Sequence, residues 1–129
     1  MKTRNVVYFS LTGSFVPDEV TTELEINPNK TWRKGESIQG TLSSYKHDGW
    51  RISTEPSTEI DLSVQIESLL LLIYPLKEKV LNICQEKKVN AEISCSIDVE
   101  DNKYPIIFLS KKIIGLIYEL NVDFDIDIF

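Results

Sequence analysis

The chain has little of what chemistry usually requires. Its 129 residues include one histidine, His47, and two cysteines, Cys84 and Cys95. Two thiols without C-x-x-C spacing make neither a disulfide framework nor a zinc motif. Both lie in apolar-patterned stretches and are expected to be reduced core thiols. Cys84 falls on the inner stripe of a helix, which removes it as a nucleophile. His47 sits in the polar run Tyr45-Lys-His-Asp48. A catalytic imidazole needs a nucleophile and an orienting acid in space, and adjacency to Asp48 in sequence provides neither; solvent is its expected surrounding. Thr12-Gly-Ser14 follows a strand but lacks the further glycines of a phosphate loop or dinucleotide fingerprint. No catalytic set, metal site or cofactor is expected.

Long apolar runs are missing too. The longest, Leu69 to Tyr74, has six residues, against about 20 for a membrane span. The opening Met1-Lys-Thr-Arg-Asn-Val-Val-Tyr-Phe-Ser-Leu has no apolar stretch of signal-peptide length. The expectation is a cytoplasmic protein without membrane association. The length suits one domain over 1–129, and roughly two-thirds of the unfolded surface is buried at this size.

Positive charge is scarce, and unevenly so. The net charge is −6. Residues 1–51 carry seven Lys/Arg against six Asp/Glu, whereas residues 52–129 carry seven Lys against fourteen Asp/Glu. Nucleic-acid binding rests on cation clusters, so an acidic chain argues against a nucleic-acid partner and for a basic protein.

What is present is periodicity. Val6–Leu11 reads as a strand with Val7, Phe9 and Leu11 on one face. Pro17 opens a short helix with Val20 and Leu24 inward, and Asn27-Pro28-Asn29 ends it. Lys30–Lys34 is extended, 35–48 is a polar loop expected to be the least structured part, and Trp50–Thr54 is a second alternating strand. Asp61 is placed to cap a helix whose stripe is Leu62, Ile66, Leu69, Leu70 and Ile73. Pro75 must kink that helix or start another, and Leu76, Val80, Ile83 and Cys84 continue the stripe. Ala91–Val99 alternates cleanly, with Glu92, Ser94, Ser96 and Asp98 on the wet face. Ile106–Leu109 adds a few extended residues. Ser110 caps a last helix with Ile113, Ile114, Ile117 and Leu120 inward, and Asn121 ends it. Val122–Phe129 closes the chain with strict period two. The order β-α-β-β-α-β-α-β predicts an α+β fold: one mixed or antiparallel sheet of about five strands, helices on one face, a ferredoxin-like core and a terminal αβ unit.

Four of these stretches also carry a resemblance: Tyr8-Phe-Ser-Leu-Thr-Gly-Ser-Phe-Val-Pro17, Asn29-Lys-Thr-Trp-Arg-Lys-Gly35, Trp50-Arg-Ile-Ser-Thr54 and Asp123-Phe-Asp-Ile-Asp-Ile-Phe129. Together they resemble a bacterial family catalogued as domain of unknown function forty-two seventy-nine. The resemblance implies a compact bacterial α+β domain and no established activity. In the family pattern an acidic residue often precedes the proline and an aromatic ends the chain. Here Val16 replaces the first, which weakens the expected helix cap, and Phe129 keeps the second.

Two candidate sites remain. Thr31, Trp32, Arg33 and Lys34 lie near Trp50 and Arg51 in sequence, and each tryptophan is followed by an arginine. Indole faces beside guanidinium groups suit a planar anion or an acidic side chain, so Trp32, Arg33, Trp50 and Arg51 are candidate ligand-binding residues, with the 35–48 loop as a lid. The plainer account puts both indoles in the core. The second candidate is an acidic face made by Asp98 and Glu92 on one strand and Asp123, Asp125 and Asp127 on another, provided the strands are neighbours. Carboxylates at i, i+2 and i+4 lie about 7 Å apart, too far to share one ion unaided. Such a face suits a basic protein, and an immunity-type inhibitor of a basic toxin or nuclease is the most concrete form of that expectation. The plainer account is a solvated face that discourages aggregation.

Overall fold

The computed structural model describes residues 2–129. Ten elements follow the expected order: β1 (Arg4–Gly13), α1 (Pro17–Leu24), β2 (Lys30–Trp32), β3 (Asp48–Ser53), α2 (Leu62–Ile73), a 3-10 turn (Tyr74–Leu76), α3 (Lys77–Lys87), β4 (Asn90–Asp98), α4 (Lys111–Leu120) and β5 (Asp123–Ile128). The strands form one sheet in the order β2-β3-β1-β4-β5. β1 pairs antiparallel with β3 and with β4, and β2 pairs antiparallel with β3. These four strands have the ferredoxin-like arrangement. β5 is the addition, running parallel to β4. A parallel neighbour needs a crossover, and α4 supplies it.

The local chemistry explains the element ends. Asp61 accepts from the Ser63 N–H and Ser110 from the Ile113 N–H, so both helices start on a side-chain cap. Val16 offers no cap to α1; Pro17 at the first helical position and Asp18 and Glu19 in the first turn compensate. Asn121 ends α4 in the left-handed region. Pro75 is absorbed by the 3-10 turn that joins α2 to α3.

The core lies between the sheet and the helices. Val7, Phe9, Leu11, Trp50, Ile52, Ile93, Cys95 and Ile97 point into it from the strands, and Leu62, Ile66, Leu70, Ile73, Val80, Ile113 and Leu120 from the helices. Each such aliphatic or aromatic side chain contributes about 1.5–3 kcal/mol of transfer free energy. The opposite face of the sheet carries no helix among the described residues, and it displays Trp32, Arg51, Asp98, Asp123, Asp125 and Asp127.

The structure differs from the pattern reading at β3. The strand starts at Asp48, two residues before Trp50, because Asp48 and Gly49 pair with Gly13 and Thr12 of β1. Gly49 is required there for a local reason. The Trp32 indole lies directly on its Cα, and a methyl group at that position would overlap the ring. Gly49→Ala is expected to lower unfolding stability by about 1–3 kcal/mol, the usual cost of forced overpacking, and to expose Trp32. Chemical denaturation followed by tryptophan fluorescence measures both.

Candidate partner-binding face

Period-two alternation sends one residue in two of every strand to the open face. The register then lines these residues up in rows across the sheet. One row runs Lys30, Arg51, Ser10, Glu92, Asp123. The next runs Ser53, Tyr8, Ser94, Asp125, and a third Val6, Ser96, Asp127. Arg4 pairs with Asp98 at the end. Each row passes from neutral or basic groups at one side to a carboxylate at β5. The face is therefore electrically polar.

At the β2–β3 side, aromatic and basic groups are packed against one another. The Trp32 ring stacks on Tyr45, with centroids 5.1 Å apart and planes at 23°. The Arg51 guanidinium lies 4.6 Å from the Tyr8 ring centre and 5.0 Å from that of Trp32, and its Nε donates to Ser10 Oγ at 2.9 Å. Lys30 Nζ lies 5.7 Å from the Trp32 ring and 5.5 Å from Tyr45. The faces that would meet a ligand are largely occupied by each other.

Trp50 is not part of this cluster, a correction to the expected Trp32, Arg33, Trp50 and Arg51 set. Trp32 pairs with Gly49, so the next residue, Trp50, must point to the other side of the sheet. It is fully buried, donates from Nε1 to Thr21 Oγ1 at 3.0 Å and meets Phe9 edge to face. Arg33 is also diverted, since its Nε donates to Asp48 Oδ1 at 2.9 Å. The 35–48 segment is not the unstructured stretch its composition predicts. Gly35 N–H donates to the Tyr45 carbonyl, Tyr45 N–H to the Glu36 carbonyl and Ile38 N–H to the Ser43 carbonyl, each at 2.9 Å. These bonds fold it into a small hairpin that brings Tyr45 onto Trp32.

Asp48 anchors that arrangement. Its buried carboxylate accepts from the Phe15 N–H at 3.1 Å and the Lys34 N–H at 2.9 Å, besides Arg33. The Lys34 amide and the Arg33 guanidinium, helped by the Phe15 amide, hold its carboxyl below the usual range against the opposing effect of burial. His47, the neighbour suggested by sequence, is exposed.

At the β4–β5 side carboxylates predominate. Glu92 faces Asp123 across the parallel ladder, and Ser94 and Ser96 face Asp125 and Asp127. Asp98 lies one step along β4 on the same face. Neighbouring strands are about 4.8 Å apart and alternate residues about 7 Å apart. None of these five carboxylates makes an ion pair among the described residues. Burial, then Asp125 and Asp123, push the Glu92 carboxyl above its ordinary value, with Arg51 acting in the opposite sense. Among the described residues no group of three or more His, Cys, Asp or Glu is placed to hold a metal ion. Beneath this face, burial and then Asp125 push the Cys95 thiol up to about 12, which keeps it protonated and unreactive at neutral pH.

Residues 1–129 match the family model described as Domain of unknown function (DUF4279). The chain belongs to that family. No curated protein and no solved structure matches it. This member of DUF4279 presents a charge-polar open sheet face, acidic at β4–β5 and aromatic-basic at β2–β3. No helix of the structure is long and apolar enough to cross a membrane.

The two perturbed carboxylates predict opposite pH behaviour. The folded pKa of Asp48 lies below its unfolded value of about 3.9. Its contribution is therefore complete above that pH and disappears as the pH falls through the folded value. Asp48→Asn is expected to cost about 1–3 kcal/mol at neutral pH, with the gap to wild type closing in urea titrations below about pH 4. The folded pKa of Glu92 lies above its unfolded value of about 4.3, so its charge opposes folding above that range and the penalty vanishes below it. Glu92→Gln is expected to stabilise the protein at neutral pH by about 0.5 kcal/mol or less, since the side chain is partly solvated, and to make no difference at about pH 3.

Proposed function

We propose that this chain is a non-enzymatic protein-binding domain that holds a basic partner against the β4–β5 side of its open sheet face. The observation that carries the reading is the register that puts Glu92 beside Asp123, with Asp125, Asp127 and Asp98 on the same uncovered surface and no ion pair to any of them among the described residues. Like charges at this spacing oppose folding, and a solvated face needs no such concentration at one end of a sheet. A cationic partner removes the repulsion on binding, which couples affinity to charge complementarity.

The finer form of the proposal is an immunity-type inhibitor acting in the bacterial cytoplasm. A basic toxin or nuclease presents a cationic cleft to phosphates. A row of carboxylates about 7 Å apart occupies such a cleft in their place. The alternative of a small-ligand or enzymatic pocket has less support. Trp50 lies in the core, and Trp32 and Arg51 are already stacked with Tyr45 and Tyr8.

The test is binding to the basic product of the neighbouring gene, measured as a function of salt, together with protection of cells that express it. Replacing Asp123, Asp125 and Asp127 together by Asn should weaken binding by about 10- to 100-fold and flatten its salt dependence. Unchanged affinity of the triple variant, in a protein of unchanged fold, overturns the reading.

A further inference from the structure

The two edges of the sheet are unequal. β2 is three residues long and β5 is six. A long open edge offers a row of unpaired backbone groups to any extended chain.

The hydrogen bonds identify which groups those are. Phe129 N–H donates to the Ile97 carbonyl at 3.0 Å, and Val99 N–H donates to the Phe129 carbonyl at 2.9 Å. Residue 129 therefore directs both backbone groups toward β4. By strand alternation so do Asp123, Asp125 and Asp127, while Phe124, Ile126 and Ile128 direct theirs away from the sheet. Among the described residues β5 has no partner other than β4, and no hydrogen bond there satisfies the outward groups.

The side chains along this edge divide by face. On the helix side, Phe124 and Ile126 are half-buried and Ile128 is exposed. Ile114 and Tyr118 of α4 are exposed as well. Lys112 pairs with Glu67 of α2 at 3.1 Å, and Glu119 lies beside Tyr74. Helical geometry puts Ile114 on the flank away from those contacts, above the β5 side of the sheet. On the open face the same edge carries Asp123, Asp125 and Asp127.

We infer that the free edge of β5 takes up an extended segment of a basic partner as a sixth strand, one whose residues alternate between Lys/Arg and apolar side chains. The inference rests on the partner-binding reading above and adds the mode and the sequence pattern. Backbone bonds to Phe124, Ile126 and Ile128 supply part of the affinity, and the two faces of the added strand supply specificity. Its basic residues lie beside the aspartates, and its apolar residues beside Ile126, Ile128 and the overhang of α4. A second copy of β5 is a poor occupant, because it brings aspartates against aspartates on the open face.

The probe is a capped peptide of alternating lysine and valine, about as long as β5, compared with a peptide of the same composition in which the lysines are contiguous. The alternating peptide should bind more tightly, more weakly as salt rises, and should protect the amides of Phe124, Ile126 and Ile128 from hydrogen exchange. Ile126→Pro removes an N–H that β4 does not use, so the ladder survives, and binding should fall by about tenfold. Triple replacement of Asp123, Asp125 and Asp127 by Asn should also weaken it. If the Asn variant loses binding while Ile126→Pro keeps it, the edge inference is wrong and the acidic-face reading stands. If neither change matters, or neither peptide binds, both fall. Should Ile126→Pro not fold, amide protection in the wild-type protein decides alone: unprotected amides at the three positions overturn the inference. A concentration-dependent dimer that protects those same amides overturns it too, since the occupant is then a second copy.

Discussion

The parallel pairing of β5 with β4 is the constraint on which the acidic surface depends. Side chains alternate along each strand, so the register fixes which residues meet: Glu92 beside Asp123, Ser94 beside Asp125, Ser96 beside Asp127. A slip of one residue would turn the aspartates into the core and Phe124 and Ile126 into water. The register is held from the other side of the sheet. Ile113, Leu116 and Leu120 bury the inner face of α4, and Val122 and Phe124 pack behind them. The hydrophobic requirement beneath the sheet thus maintains a repulsive charge arrangement above it.

The other end of the face is built on the opposite principle. There Asp48, Arg33, Arg51, Lys30, Trp32 and Tyr45 each have a partner. Asp48 gathers two backbone amides and Arg33, and so ties the β1–α1 junction and the 33–48 hairpin to the start of β3. Trp32 settles onto Gly49, Tyr45 covers it, and Arg51 fills the space between Trp32 and Tyr8. Satisfied groups make a rigid region, whereas unsatisfied charges and open backbone groups make a surface for association. The contrast within a single sheet is what supports the proposed binding role of the β4–β5 side.

Much of this was legible from residue order. The stripe of α2, the caps Asp61 and Ser110, and the alternation of β4 and β5 are local patterns with local causes, and each recurs in the structure at the expected residues. The stripe of α4 is shifted: Leu116 is buried with Ile113 and Leu120, whereas Ile114, expected inward, is exposed on the flank. The missing cap at Val16 was visible for the same reason. Sites that depend on distant residues were less visible. Asp48 drew notice only as a neighbour of His47, because its donors come from Phe15 and from Arg33 and Lys34. Tyr45 and Tyr8 gave no sign of stacking on Trp32 and Arg51, since stacking leaves no periodic trace. Trp50 was grouped with Trp32 by its similar dipeptide, and one residue of register put it on the other face.

The sequence by itself determined the elements, their apolar faces and the alternation of aspartate with aliphatic residues at the end of the chain, because backbone propensity and side-chain period act over a few residues. Only the tertiary structure decided that the last strand lies beside β4, that the carboxylates of two strands share one surface, and that the outer edge of that strand is open. Those outcomes depend on how helices far along the chain pack across the sheet, and pairing between distant segments is fixed by the burial of the whole core rather than by any local pattern.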